Sequence, residues 1–192
     1  LARHADEPDA PAIHALLQRL SPRGAALPPA PDQAALPEDG EAVPEESEPP
    51  ARGFTRNPAL DRTVRERAAS GDTRGALDLI RRTRGMTAPY AAALRADIAL
   101  ALFRRGEDAA AFRLASEVAR GGQERTGRAA FAAGLAAWGL HRFEVALPYF
   151  EAAARAEGGS AAARASAAFW TARAAVRARR PQHYVPWMLQ AA

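Results

Sequence analysis

The sequence predicts an all-α protein, an α-solenoid of antiparallel helix hairpins, and three observations carry that expectation. Small residues recur with a fixed period. Gly71, Gly106 and His141 lie 35 residues apart; Ala76, Ala111 and Ala146 repeat the spacing five residues later, and Ile80, Ala115 and Phe150 four residues further on. Composition agrees: 48% of residues are hydrophobic but only 7% aromatic, with alanine supplying much of the apolar fraction. Alanine is the best helix former and lets helices approach closely, which favours helix pairs over sheets. Thirdly, no apolar run approaches the roughly 18–20 residues that cross a bilayer, so the chain is expected to contain no membrane span.

Each slot of the period has a physical role. The first ends a helix where the backbone turns left-handed, a conformation that suits glycine and that histidine tolerates. The alanine lets the second helix of a pair approach the first, and the third residue fills the groove between them. A period near 34 residues with a small residue at each crossing is the signature of tetratricopeptide-like repeats. It is clearest in Phe131–Ala154, where Gly134, Ala146, Phe150 and Ala153 fall in register. A fourth unit, 160–192, keeps the hairpin form with a longer first helix. Asp72, Thr87 and Ser160 are expected N-caps, and Gly121-Gly122 and Gly158-Gly159 expected breaks. Glu124–Arg128 and Glu151–Arg155 have i,i+4 spacing suited to exposed helix pairs.

Three regions follow. Residues 1–20 read as a short helical segment of a preceding repeat, with Pro11 in a first turn and Ile13, Leu16, Leu17 and Leu20 on one stripe. Residues 21–56 are rich in Pro, Ala and Glu, lack periodicity, and read as an extended or mobile linker. Residues 57–192 form the helical-repeat domain, expected to be truncated at its C-terminal end, since the chain opens at Leu1 and stops within an apolar helical pattern.

Charge is unevenly spread. All 26 basic residues are arginine, a bias that GC-rich coding also produces; residues 1–53 carry a net charge of −6 and the remainder +10. The basic part suits an anionic partner. No nucleic-acid reader module is recognisable, so nucleic acid is not an expected partner. The absence of cysteine excludes disulfides and thiolate metal sites.

Chemistry is hard to find. Glu46-Ser47 lies in the acidic stretch EESEPP, where nothing would bury a general acid and raise its pKa. His4, His14, His141 and His183 lack metal-ligand grouping, and His141 occupies a helix-terminal slot. No phosphate loop, HExxH or nucleophile elbow occurs. The sequence thus implies no catalytic residue, metal or cofactor. Trp138, Phe150, Phe169, Trp170 and Trp187 recur at helical spacing, as a hairpin core requires; a sugar-stacking platform would use the same residue types. Among the C-terminal arginines (Arg164, Arg173, Arg177, Arg179, Arg180), Arg173, Arg177 and Arg180 are the candidate contacts for a polyanion or glycan, against the alternative of a solvated helix face.

The C-terminal run SAAARASAAFWTARAAVRARRPQHYVPWMLQAA resembles the last helices of the superhelical region of soluble lytic murein transglycosylases. There an alanine-rich helix carrying AxFWxARA precedes a short helix ending near LxxAA. AAGLAAWGLHRFEVALPYFEAAA resembles the repeat just upstream, and LARHADEPDAPAIHALL an earlier helix, with Pro8, Pro11, Ile13 and His14 matching. The resemblance implies a periplasmic protein whose parent cuts peptidoglycan between muramic acid and glucosamine, leaving an anhydro end. It places the catalytic glutamate in a lysozyme-like domain after the helical ring. That domain's Glu-Ser and Gly-Leu-Met-Gln motif is absent here, so no catalytic residue carries over. The implied partners are peptidoglycan glycan strands and other cell-wall proteins. The alternative is a tetratricopeptide-like protein-binding adaptor of the cell envelope.

Overall fold

The computed structural model describes residues 10–22, 24–30 and 55–191. Most of the expected linker, together with His4, Pro8 and Glu46-Ser47, lies outside these residues. Among the described residues every regular element is helical. The chain divides into two units, 1–45 and 46–192.

In the first unit, α1 spans Ala10–Leu20 with Pro11 in its first turn. Its His14 is buried, and Nε2 lies 3.1 Å from the carbonyl oxygen of Pro28. Ile13, Leu16 and Leu20 are exposed.

The second unit runs α2 (Pro58–Ala69), α3 (Thr73–Arg82), α4 (Ala88–Arg104), α5 (Asp108–Gly121), α6 (Arg128–Gly139), α7 (Phe143–Ala154), α8 (Ala161–Arg177) and α9 (Tyr184–Ala191), with a 3-10 turn at Pro181–His183 before α9. Packing follows chain order, each helix lying against the next wherever a short turn joins them; α4 also contacts α2 and α6. Caps fix the starts. Asp72 accepts from the Gly75 amide at 2.8 Å, Thr87 from Tyr90 at 3.4 Å, and Ser160 from Ala163 at 3.1 Å. Asn57, ahead of Pro58, accepts from the amides of Ala59 and Leu60 and starts α2. Gly122 ends α5 in the left-handed region.

One turn geometry recurs. Gly71, Gly106 and His141 have φ of 92°, 77° and 57°. In each case this residue donates its amide to the carbonyl three residues back, and the next residue donates to the carbonyl five back. His141 thus reaches Trp138 at 2.9 Å, and Arg142 reaches Ala137 at 2.8 Å. These paired bonds satisfy carbonyls that a helix end leaves open. A fourth copy follows α8, where Arg179 (φ 59°) donates to Val176 and Arg180 to Ala175. It falls 38 rather than 35 residues after His141, because α8 has five residues more than α6 while α7 has two fewer than α5. The strict period therefore missed it.

Small residues sit where the helices cross. Ala76, Ala111 and Ala146 are fully buried, as are Ala115 and Phe150 of the third slot, with Ile80 nearly so. At Gly134 of α6 a Cβ would lie 2.6 Å from the Phe150 ring of α7, so only glycine allows that approach. Val64, Leu94 and Ile98 supply the bulk of the core between α2 and α4.

One expected local pair is not formed as such. Glu124 lies before α6 rather than on it, so it has no helical i,i+4 geometry. Its carboxylate accepts from the amides of Thr126 (2.7 Å) and Ala129 (2.9 Å) and caps α6, while Arg128 reaches Asp97 of α4 at 3.0 Å. Glu151 and Arg155, both at the end of α7, do pair at 3.3 Å.

Two stability measurements check this register. Ala146→Asp places an unpaired charge at a fully buried crossing and is expected to destabilise the fold by roughly 4 kcal/mol; an unchanged thermal melt would refute the crossing. His141→Gly removes the steric cost of a side chain at left-handed φ and is expected to stabilise by about 1 kcal/mol. A lowered melting temperature for that variant would show that the turn is not strained.

Candidate functional site

The charged groups of the second unit are organised around Asp97. It is the only acid in α4 and is flanked by the fully buried Ala96 and Ile98, so its side chain is drawn to the protein surface layer and is only 7% exposed. Three guanidinium groups from sequence-distant positions reach it: Arg56 at 3.2 Å, Arg65 of α2 at 3.5 Å and Arg128 of α6 at 3.0 Å. A carboxylate so largely buried needs such partners, because desolvating an unpaired charge is expensive. Arg56, the last residue of the expected linker, is therefore part of the helical unit. It also donates Nε to Asp61 at 2.9 Å. Asp61 in turn accepts from the Tyr90 hydroxyl at 2.7 Å, and that hydroxyl accepts from the Asn57 amide at 2.9 Å. Burial, then the Asp61 hydrogen bond, raises the Tyr90 pKa above the ordinary 10.0.

Beside Asp97 a cleft of about 490 Å³ opens across α2, α4 and α6. Arg65, Arg104, Arg105 and Arg128 supply positive charge to its walls, Asp97 is the one acid of the lining among the described residues, and Leu100 and Ala101 form an apolar part of it. Arg105 is held by Glu107 at 2.8 Å and by the Ala69 carbonyl at 3.2 Å. Arg104 is exposed and has no ion pair or side-chain hydrogen bond among the described residues. Sequence reasoning did not single out this cleft. Its signal was the lone acid of an alanine-rich helix, a residue that burial would force into a pair.

The arginines singled out by sequence lie elsewhere, on α8 and just after it. Arg173 stacks its guanidinium over Trp170 (4.8 Å), Trp138 (5.4 Å) and Phe169 (5.6 Å), and Arg177 lies over Phe143 at 4.7 Å. The structure brings these two together with a ridge of rings from α6, α7 and α8. Trp138 meets Phe143 and Trp170 edge-on, at 4.9 and 5.3 Å between centroids. Each guanidinium–ring contact at an exposed site is worth about 0.5–1 kcal/mol. Arg177 also lines a shallow depression with His141 and Phe143. Arg180 is exposed and is not joined to them: its amide closes the turn after α8, and its side chain makes no contact of these kinds among the described residues. The other aromatic candidates divide. Phe150 is fully buried, Trp187 is nearly so beneath Arg155, and Phe169 is exposed.

Among the described residues no group of three or more His, Asp or Glu side chains is placed to hold a metal ion, and no helix is long and apolar enough to cross a membrane. No family model and no curated protein matches this chain.

The Tyr90 environment sets an alkaline limit. Because its folded pKa is raised, the protonated phenol stabilises the fold fully below the ordinary value of 10.0, and that stability disappears as pH rises through the folded value. The melting temperature is therefore expected to fall above about pH 10. Tyr90→Phe should be less stable at neutral pH by about 1–3 kcal/mol, with a flatter alkaline decline. Parallel pH profiles for the two proteins would exclude this role.

Proposed function

We propose that residues 57–192 form a tetratricopeptide-like α-solenoid of antiparallel hairpins (α2–α3, α4–α5, α6–α7, α8–α9). We further propose that this solenoid is the non-catalytic superhelical scaffold of a periplasmic peptidoglycan lytic transglycosylase. The observation that carries the reading is the turn geometry repeated at Gly71, Gly106, His141 and Arg179. The same turn follows the first helix of each proposed pair. The transglycosylase reading rests on the sequence resemblance of the last elements. A 17-residue alanine-rich helix carries Phe169-Trp170 and Ala172-Arg173-Ala174, and the short α9 follows it.

In this role the helix pairs supply surface rather than acid–base chemistry. They hold a glycan strand while a glutamate in a following lysozyme-like domain protonates the leaving glycosidic oxygen, a task that requires a carboxyl whose pKa burial has raised. The aromatic ridge with Arg173 and Arg177, and the exposed Arg180 beyond it, is the surface offered to the strand. Because two of these guanidiniums already lie on rings, each contributes only modestly to attraction.

Co-sedimentation with purified sacculi tests the proposal. The chain should bind them without releasing anhydro-muramoyl products, and Arg→Ala changes at Arg173, Arg177 and Arg180 should together weaken binding, with the effect shrinking as salt screens the charges. The parent gene read onward from Ala192 should encode a lysozyme-like domain with a Glu-Ser pair on a helix. Failure to bind sacculi, with further repeats or an early stop downstream, would favour the cell-envelope adaptor instead.

A further inference from the structure

The last two helices carry an apolar surface that the fold leaves uncovered. Among the described residues of the second unit six large apolar side chains are exposed, and five of them, Phe169, Val176, Tyr184, Val185 and Leu189, belong to α8 and α9. Helix α9 is the clearest case. Its sequence YVPWMLQA holds no charged residue, and Gln190 is its one polar side chain apart from the Tyr184 hydroxyl. One face packs inward, where Trp187 is buried in a cluster with Ala167, Ala168 and Ala172 of α8. Val185 and Leu189, four residues apart and so on one stripe, are instead 60% and 74% exposed. A helix that is apolar all round belongs in an apolar environment, and this one has water on one side.

The charge around this surface has a single sign. Residues 158–192 contain five arginines and no aspartate or glutamate; the last acid of the chain is Glu157. Arg179 and Arg180, in the turn that leads from α8 towards α9, are exposed and have no carboxylate partner among the described residues. On α8 the exposed stripe alternates, with Arg173 between Phe169 and Val176. Two copies joined through this surface would set arginine against arginine. A partner helix would meet an apolar stripe interrupted by a guanidinium group. An anionic lipid surface accepts both kinds of side chain. The apolar ones enter the boundary between headgroups and acyl chains, and arginine, on its long stem, stays at the level of the phosphates. Each arginine near such a surface adds an attraction that salt screens. The contact is peripheral, since α9 has 8 residues and is roughly 12 Å long, against a bilayer core of about 30 Å.

We propose that α9 and the turn before it dock on an anionic lipid surface, with Val185 and Leu189 entering the headgroup–acyl boundary and Arg179 and Arg180 meeting lipid phosphates. The proposal goes beyond the glycan-scaffold reading and does not rest on it.

Flotation of the full chain with lipid vesicles tests this, phosphatidylglycerol mixed into phosphatidylcholine being compared with phosphatidylcholine alone. The chain should bind the anionic vesicles at least about tenfold more tightly, and added salt should shrink the difference. Val185→Ser with Leu189→Ser should weaken binding about tenfold, and Arg179→Gln with Arg180→Gln by a similar factor, in proteins whose thermal melts match that of the unaltered chain. Arg104→Gln with Arg113→Gln removes the same charge from exposed positions on α4 and α5 and should leave binding unchanged. Because the chain has no cysteine, Leu189→Cys gives a unique attachment point for a solvent-sensitive dye, whose emission should shift to the blue on anionic vesicles. Equal binding to both kinds of vesicle, binding to neither, undiminished binding by the serine variant, or a dye that stays in water would each overturn the proposal. A dimer in solution that the Leu189 change dissociates would assign the face to a second copy instead. Sacculus binding should be unaffected by the changes at Val185 and Leu189, so failure of one proposal leaves the other standing.

Discussion

Close approach of helices over small side chains is the constraint on which the second unit depends. At Gly134 the Phe150 ring occupies the space a Cβ would need, and Ala76, Ala111 and Ala146 leave no exposed surface at their crossings. A core built this way gains much of its stability from many short dispersion contacts and little from any one large residue. That explains how 7% aromatic content suffices. It also explains why the tolerance at each crossing is small: there is no flexible side chain to move aside.

The same constraint distributes the polar residues. With helices packed on alanine, no interior space is wide enough to solvate a charge, so Asp97 stays between helices only by drawing arginines from α2, α6 and the segment before α2. Asp61 is held likewise by Arg56 and Tyr90. Arg56 joins the two, donating to Asp61 with Nε and to Asp97 with a terminal nitrogen. The start of α2 and the middle of α4 are thereby tied through one planar side chain, a use to which lysine's point charge is poorly suited.

Arginine has two further fates in this molecule. On α8 it lies over aromatic rings, so Arg173 covers part of the hydrophobic surface of Trp138, Phe169 and Trp170 while keeping its charge in water. At the end of α4 it lines a cleft. A composition containing arginine and no lysine thus serves pairing, ring stacking and display of charge.

Local chemistry determined much of the structure from sequence alone. Helix formation follows from alanine, starts from Asp72, Thr87 and Ser160, and turns from Gly71, Gly106 and His141, because caps and left-handed residues act over a few positions and need no distant partner. The burial of Ala76, Ala111 and Ala146 was legible for a related reason: a residue repeated at a fixed phase occupies the same environment each time. Tertiary structure decided what periodicity could not encode. The fourth turn falls at Arg179 because α8 has five residues more than α6 while α7 has two fewer than α5, and Glu124 is a cap because α6 begins only at Arg128. Arg173 and Arg177 met the rings of α6 and α7 through packing alone, leaving Arg180 apart. The cleft was least legible of all. Its arginines lie 63 positions apart in sequence at the extremes, from Arg65 to Arg128, and electrostatic clustering depends on distance in space, which a single sequence records only after the chain has folded.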